Sequence, residues 1–219
     1  ERVGAAVSDP DEGLGSNNWV IGGGLSETGL PLVASDPHIA FGSVSCWYQA
    51  HLAGAGFNVV GSGYVGVPGI MFGRNDRVAW GLTNNICAQR DLYQERENPD
   101  RPGYFLYDGE WERARAIEET IIVKGGEAAT KTVRLTRNGP IVDEIIPEPA
   151  RHTGPVSLRW MGHEPCDEIT SMLETNRANT AAEFREALRT WIAPTFSFGF
   201  ADAEGHIGYQ AVGRIPIKE

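Results

Sequence analysis

Gly15-Ser16-Asn17-Asn18-Trp19 sets a glycine and a serine at the opening of an apolar run. A serine hydroxyl becomes a useful nucleophile only when a base takes its proton, and a serine at a chain start carries such a base as its own α-amine. Glycine before it hinders attack on its carbonyl least and tolerates a strained backbone. The pair therefore suits a self-cleaving nucleophile, in which cutting between Gly15 and Ser16 frees the amine and the hydroxyl together. Gly-Ser-Asn-Asn is also a set of turn formers, so a turn or cap is the competing reading. His38, within Asp36-Pro37-His38, is a second group able to move a proton, with a surface turn as its plain alternative.

Other chemistries lack their residues. Gly22-Gly23-Gly24 is not followed by the glycines or the Gly-Lys-Ser/Thr of a phosphate cradle, and a hairpin turn accounts for it. His163-Glu164 runs into Pro165 without the second histidine of a metalloprotease helix. Cys46, Cys87 and Cys166 are widely spaced, so neither a zinc knuckle nor a disulfide framework is indicated.

The chain that must position Ser16 has 219 residues, 41% apolar and 22% charged, the composition of a folded domain with a sizeable core. A net charge of -10 argues against a nucleic-acid surface, and no apolar run approaches the ~20 residues of a membrane helix. Residues 1–15, with Asp9-Pro10-Asp11-Glu12-Gly13 and few large apolar side chains, read as a spacer or activation segment. The start at Glu1, with neither an initiator methionine nor a signal-peptide plan, leads us to expect part of a longer chain.

From Ser16 onward the pattern is a strand meander. Trp19–Ile21 and Leu30–Ala34 form a first hairpin. Cys46–Leu52 and Phe57–Val60 flank a turn at Ala53–Gly56, and Pro68–Gly73 and Val78–Thr83 flank Arg74-Asn75-Asp76. Short β-rich runs follow at Asp91–Gln94, Ile121–Lys124, Thr132–Thr136, Pro140–Val142 and Val156–Trp160, giving a β-rich region over roughly 95–160. A helix is expected over about 169–176. Another opens at Thr180, with capping-box spacing to Glu183, Phe184, Ala187, Leu188 and Trp191 on one face, and an end at Pro194. Phe196–Asp202 and Ile207–Ala211 close the chain as a hairpin.

Ser16-Asn17-Asn18-Trp19-Val20, Ser35-Asp36-Pro37-His38, Trp47–Leu52, Val67-Pro68-Gly69, Phe72-Gly73-Arg74-Asn75, Ala79–Asn84 and the Ala201-Asp202 to Gly213-Arg214-Ile215-Pro216 stretch together resemble the penicillin amidase family, in order and spacing. The resemblance runs from Ser16 to the C-terminus. It implies an α+β fold, the four-layer αββα sandwich of N-terminal nucleophile hydrolases, present here in part and carrying a β-rich insertion. It implies that residues 16–219 are the N-terminal part of the amidase β-chain, and that Ser16 is the nucleophile released by autocatalytic cleavage at Gly15. His38 would orient that nucleophile, and the Asn84 backbone N–H would be one oxyanion-hole donor. A second donor, from an asparagine side chain, has no counterpart in this chain.

The resemblance further implies an acyl amide as small-molecule substrate, penicillin-like or another N-acyl compound. Ile39, Phe72 and Leu82 would line its acyl pocket, with plain core packing as the equal alternative. Partners would be the missing α-chain and the remainder of the β-chain of the same precursor, with no nucleic acid and no membrane span, in a periplasmic or secreted setting. No cofactor is required. Relatives often hold calcium, for which Asp91 and the Pro216 carbonyl match ligand positions, but Ala88 stands where aspartate is usual. Arg74 and Asn138 replace common histidines. A catalytically silent β-rich binding or assembly module on the same scaffold is the competing function.

Overall fold

A computed structural model describes residues 15–38, 46–146 and 154–217. The expected spacer up to residue 14, and Ile39, lie outside the described residues. The chain divides into two compact units, one of Glu1–Gln89 with Glu164–Glu219 and the other of Arg90–His163.

In the first unit β1 (Gly15–Ile21) and β2 (Leu32–His38) pair as an antiparallel hairpin. A separate six-stranded sheet runs β14-β13-β6-β5-β4-β3. Its strands are β3 (Trp47–Gly54), β4 (Phe57–Tyr64), β5 (Phe72–Arg74), β6 (Val78–Asn84), β13 (Phe196–Asp202) and β14 (Ile207–Val212), and every pairing is antiparallel. Alternation along β6 and β13 sends large residues one way and small ones the other. Trp80, Leu82, Phe196, Phe198 and Phe200 are buried in one cluster with Phe184, Leu188 and Trp191 of the helical segment. The ring of Phe184 lies 5.4 Å from Trp80 and 4.9 Å from Phe200. The small-residue face carries Gly81 and Gly199, which are register partners. Seated on it is the β1–β2 hairpin.

Two helices cover the aromatic face. α1 (Glu168–Arg177) is tied to the sheet by Asn176, whose side chain accepts from the Ile70 N–H and donates to the Ile70 carbonyl, both at 2.8 Å. α2 (Ala181–Ala187) begins as its sequence predicts, with Thr180 Oγ1 accepting from the Glu183 N–H at 3.1 Å. The Glu183 carboxylate reaches back to the Asn179 N–H at 2.7 Å, one residue earlier than a capping box requires. The unit thus stacks helix, sheet and hairpin layers. The second helical layer of the expected sandwich is not among the described residues.

The expected strand over 68–73 shrinks to Phe72–Arg74. Upstream of it the Ile70 backbone bonds the Asn176 side chain and the Met71 N–H bonds the Ser62 carbonyl, so residues 68–71 bridge to α1 and β4.

The second unit is built of two-stranded ladders. These are β7 (Arg90–Gln94) with β12 (Val156–Trp160), β8 (Tyr104–Tyr107) with β9 (Glu110–Arg113), and β10 (Arg115–Ile121) with β11 (Ala129–Leu135). The strand read at 121–124 ends at Ile121, and Gly126 N–H closes a turn onto the Val123 carbonyl. The β8–β9 hairpin was not among the predicted elements. Asp108 and Gly109, at φ 46° and 82°, make the left-handed turn for which Asp-Gly between aromatic runs is the sequence signal.

Candidate active site

The start of β1 and the end of β2 are strand partners, so the register sets Gly15 opposite His38 and Ser16 opposite Pro37. Ser16 Oγ donates to the Gly15 carbonyl oxygen at 2.7 Å, which holds the hydroxyl on the carbonyl it would attack. His38 Nδ1 lies 3.0 Å from the Asp36 carbonyl oxygen and 3.4 Å from Asp36 Oδ2. With the proton on Nδ1, the ring donates to Asp36 and leaves the Nε2 lone pair free. That Nε2 faces Gly15 closely, since a Cβ added there would sit 2.9 Å from it. Gly15 therefore gives the imidazole its place as well as leaving its own carbonyl open. Among the described residues the ring bonds Asp36 and not the Ser16 hydroxyl.

Asn84 ends β6 opposite Phe196. The Asn85 N–H donates to the Thr195 carbonyl at 3.2 Å, making 85 and 195 a hydrogen-bonded pair. In an antiparallel ladder such pairs alternate, so the Asn84 N–H turns to the other edge of β6. The Leu82 N–H shares that edge and meets Ser35 Oγ of the hairpin at 3.3 Å. One rung farther along both layers, Leu82 gives way to Asn84 and the Asn18–Ser35 pair to the Ser16–Pro37 pair. The Ser16–Pro37 rung and the Asn84 amide thus lie at the same end of the stacked layers.

Phe72 and Leu82 separate. Phe72, half-buried, stands edge-on to Trp47 with centroids 4.8 Å apart, and Trp47 stacks on Tyr64 at 4.5 Å. It lines a cleft of about 360 Å³ with Val33, Ser35, Val60, Ser62 and Arg74, between β2 and the sheet. The Leu82 side chain is buried among the helix-facing aromatics, so the core alternative holds for it. Only its backbone reaches the hairpin side.

Calcium takes roughly six to eight oxygen ligands. Of the expected positions, Asp91 offers a carboxylate and Pro216 a carbonyl, while Ala88 offers no side-chain oxygen. Asn138 donates to Glu95 Oε1 at 3.2 Å and is part of the scaffold. Asp202, Glu204 and His206 bring potential ligand atoms within 4.8 Å of one another. Asp202 is already committed, accepting from the backbone N–H groups of Ala181, Glu204 and His206, each at 3.0 Å. Burial would push its carboxyl up, but these donors and the His206 ring outweigh that and hold it below the ordinary value. It anchors the start of α2 and the β13–β14 turn.

Sequence reading passed over Asn18 and Ser35. Asn18 Nδ2 donates to the Ser197 carbonyl at 3.0 Å, and Ser35 Oγ meets both the N–H and the carbonyl of Leu82, at 3.3 and 3.5 Å. The local signal for them was two polar residues in line with Val20 and Val33 on the inward face of the hairpin.

A sequence model of the family described as penicillin amidase matches residues 2–219. The chain is 31% identical over 214 residues to the acyl-homoserine lactone acylase QuiP of Pseudomonas aeruginosa, covering 93% of this chain and 25% of that protein. It is 30% identical over 204 residues to penicillin G acylase of Escherichia coli, with 93% and 24% covered. Penicillin acylase 2 proenzyme of a Pseudomonas species is 31% identical over 221 residues, with 100% and 28% covered. Among solved structures, the thermostable penicillin G acylase of Alcaligenes faecalis superposes with a TM-score of 0.64 at 28% identity, over 77% of this chain and 30% of that one. The chain spans about a quarter of the length of the curated relatives it matches.

Proposed function

Because this chain belongs to the penicillin amidase family, we propose that it carries the nucleophile segment of an acyl-amide hydrolase that matures by cutting itself between Gly15 and Ser16. The observation that carries this reading is the Ser16 hydroxyl on the Gly15 carbonyl, with the imidazole of His38 against Gly15.

In the uncut chain, Ser16 Oγ adds to the Gly15 carbonyl carbon as its proton leaves. The C–N bond breaks, the Ser16 nitrogen takes a proton and becomes a free amine, and Gly15 is left as an ester on Oγ. Water then opens the ester, giving a Gly15 carboxylate and restoring the hydroxyl. The amine, with an unperturbed pKa of about 7.7 to 8.0, is partly neutral near pH 7 and accepts the hydroxyl proton when the next carbonyl, that of an acyl amide, is attacked. The product amine departs, an acyl ester forms on Ser16, and water releases the acid.

His38, braced by Asp36, holds the nucleophile's surroundings and assists the proton. The Asn84 N–H donates to the oxygen on which negative charge develops, a contribution of about 3 to 4 kcal/mol for one such donor. The rest of the precursor supplies a second donor and completes the αββα sandwich and the acyl pocket beyond Phe72. The named relatives are acylases of different acyl compounds, so the proposed class is an acyl amide.

Intact-mass measurement of the full-length precursor tests this. The wild type is expected to separate at Gly15–Ser16, and Ser16→Ala to stay a single chain. A wild type that stays whole, or a Ser16→Ala variant that is still cut there, overturns the proposal.

A further inference from the structure

Asn18 and Ser35 are strand partners, and they bind different strands of the sheet beneath them. Asn18 Nδ2 holds the Ser197 carbonyl of β13, while Ser35 Oγ holds the Leu82 N–H of β6. Between these anchors the sheet presents its own glycine rung, Gly199 opposite Gly81. A Cβ at Gly81 would fall 2.7 Å from Ser35 Cβ, and one at Gly199 2.8 Å from Val20 Cγ2 and 3.0 Å from Asn18 Oδ1. Both are closer than heavy atoms pack, so glycine on both strands is what lets the hairpin settle to this depth. Stacked sheets otherwise slide and rotate against each other through apolar contacts that carry no direction. Two hydrogen bonds from one rung to two strands fix both the slide and the rotation.

We infer that the Asn18–Ser35 rung is the positioning element of the active site, setting the reach from Ser16 to the Asn84 amide. The inference rests on the nucleophile reading above. Ser16 follows Asn18 by one rung toward the Asn84 end of the sheet, so a shift of the hairpin carries directly into the distance between nucleophile and oxyanion donor. Misplacement by about 1 Å can cost roughly 100-fold in rate. Neither side chain touches the reacting atoms.

The test uses the full-length precursor and follows self-cleavage of the folded fraction by intact mass, alongside its thermal midpoint. Ser35→Thr and Ser35→Val add the same bulk over Gly81 and differ only in the hydroxyl. Threonine is expected to cleave at least about tenfold faster than valine, at similar midpoints. Asn18→Asp, equal in shape but without the donor, is expected to slow cleavage by a similar factor. Equal rates for the threonine and valine variants, or rates that merely track the midpoints, overturn the positioning role while leaving the nucleophile reading intact. A wild type that does not cut removes both.

Discussion

In the unit that carries Ser16, β6 and β13 meet the helices through Trp80, Phe184, Phe198 and Phe200, all buried. In the unit Arg90–His163, Phe105, Ile146, Val156 and Met161 are buried as well, but a hydrogen-bonded carboxyl group is buried with them. Glu95, 8% exposed, accepts on one oxygen from Thr136 Oγ1 at 2.7 Å, Asn138 Nδ2 at 3.2 Å and Ser157 Oγ at 2.6 Å. Around it Glu97 takes Arg134 at 3.1 Å, and Arg137 pairs with Glu112 across the surface. One unit coheres by apolar area, which is large and without direction. The other adds to its apolar residues a set of directional bonds around a buried carboxyl group, which are costly to break singly. The β1–β2 hairpin adds to the first unit's apolar packing two directional bonds, from Asn18 to Ser197 and between Ser35 and Leu82.

The largest effect expected is from Phe184→Ala, which empties the middle of the aromatic cluster and costs about 3 to 5 kcal/mol. Hydrogen exchange of the full-length protein locates the loss. Peptides from β6, β13 and α1 should exchange faster and those from β7 and β12 should not. Uniform acceleration would break the distinction between the units. Next is Glu95→Ala, which removes the acceptor shared by Thr136, Asn138 and Ser157 and should cost about 1 to 3 kcal/mol, read in β7, β12 and the 136–140 segment. Glu95→Gln keeps an acceptor and should cost less. If alanine and glutamine behave alike, the carboxylate does not organise that unit.

The smallest effect belongs to Asp202 and depends on pH. Its folded carboxyl titrates below the ordinary value, so its contribution is fully present above that value and is lost as pH falls through the folded one. Protection of the α2 and β13–β14 peptides should therefore decline from about pH 5 downward, and Asp202→Asn should flatten that decline. An unchanged slope in the variant would assign the acid sensitivity elsewhere.

Much of this was written locally. The β13–β14 hairpin, the Thr180 cap and β1–β4 follow from alternation, turn residues and capping spacing, each a preference expressed within a few residues. Asp108-Gly109 was equally local and was passed over. Arg115–Ile121 was harder, since Glu118, Glu119 and Thr120 leave its alternation faint. The strand expected over 68–73 begins only at Phe72 for a reason outside its own residues, because Asn176 occupies the Ile70 backbone from the helix side.

By itself the sequence determined that a serine follows a glycine at the head of a strand, within motifs similar to those of an amidase family. It also held the glycines that make close packing possible, without saying which of them are used. Only the tertiary structure decided that Gly81 and Gly199 face each other under Asn18 and Ser35, that Leu82 turns into the core, and that Asn84's amide shares an end with Ser16. The physical reason is separation along the chain. Asn18 and Ser197 are 179 residues apart, and no local preference reaches that far. Their meeting is settled by how the hairpin buries its inward face on a sheet bare enough to receive it.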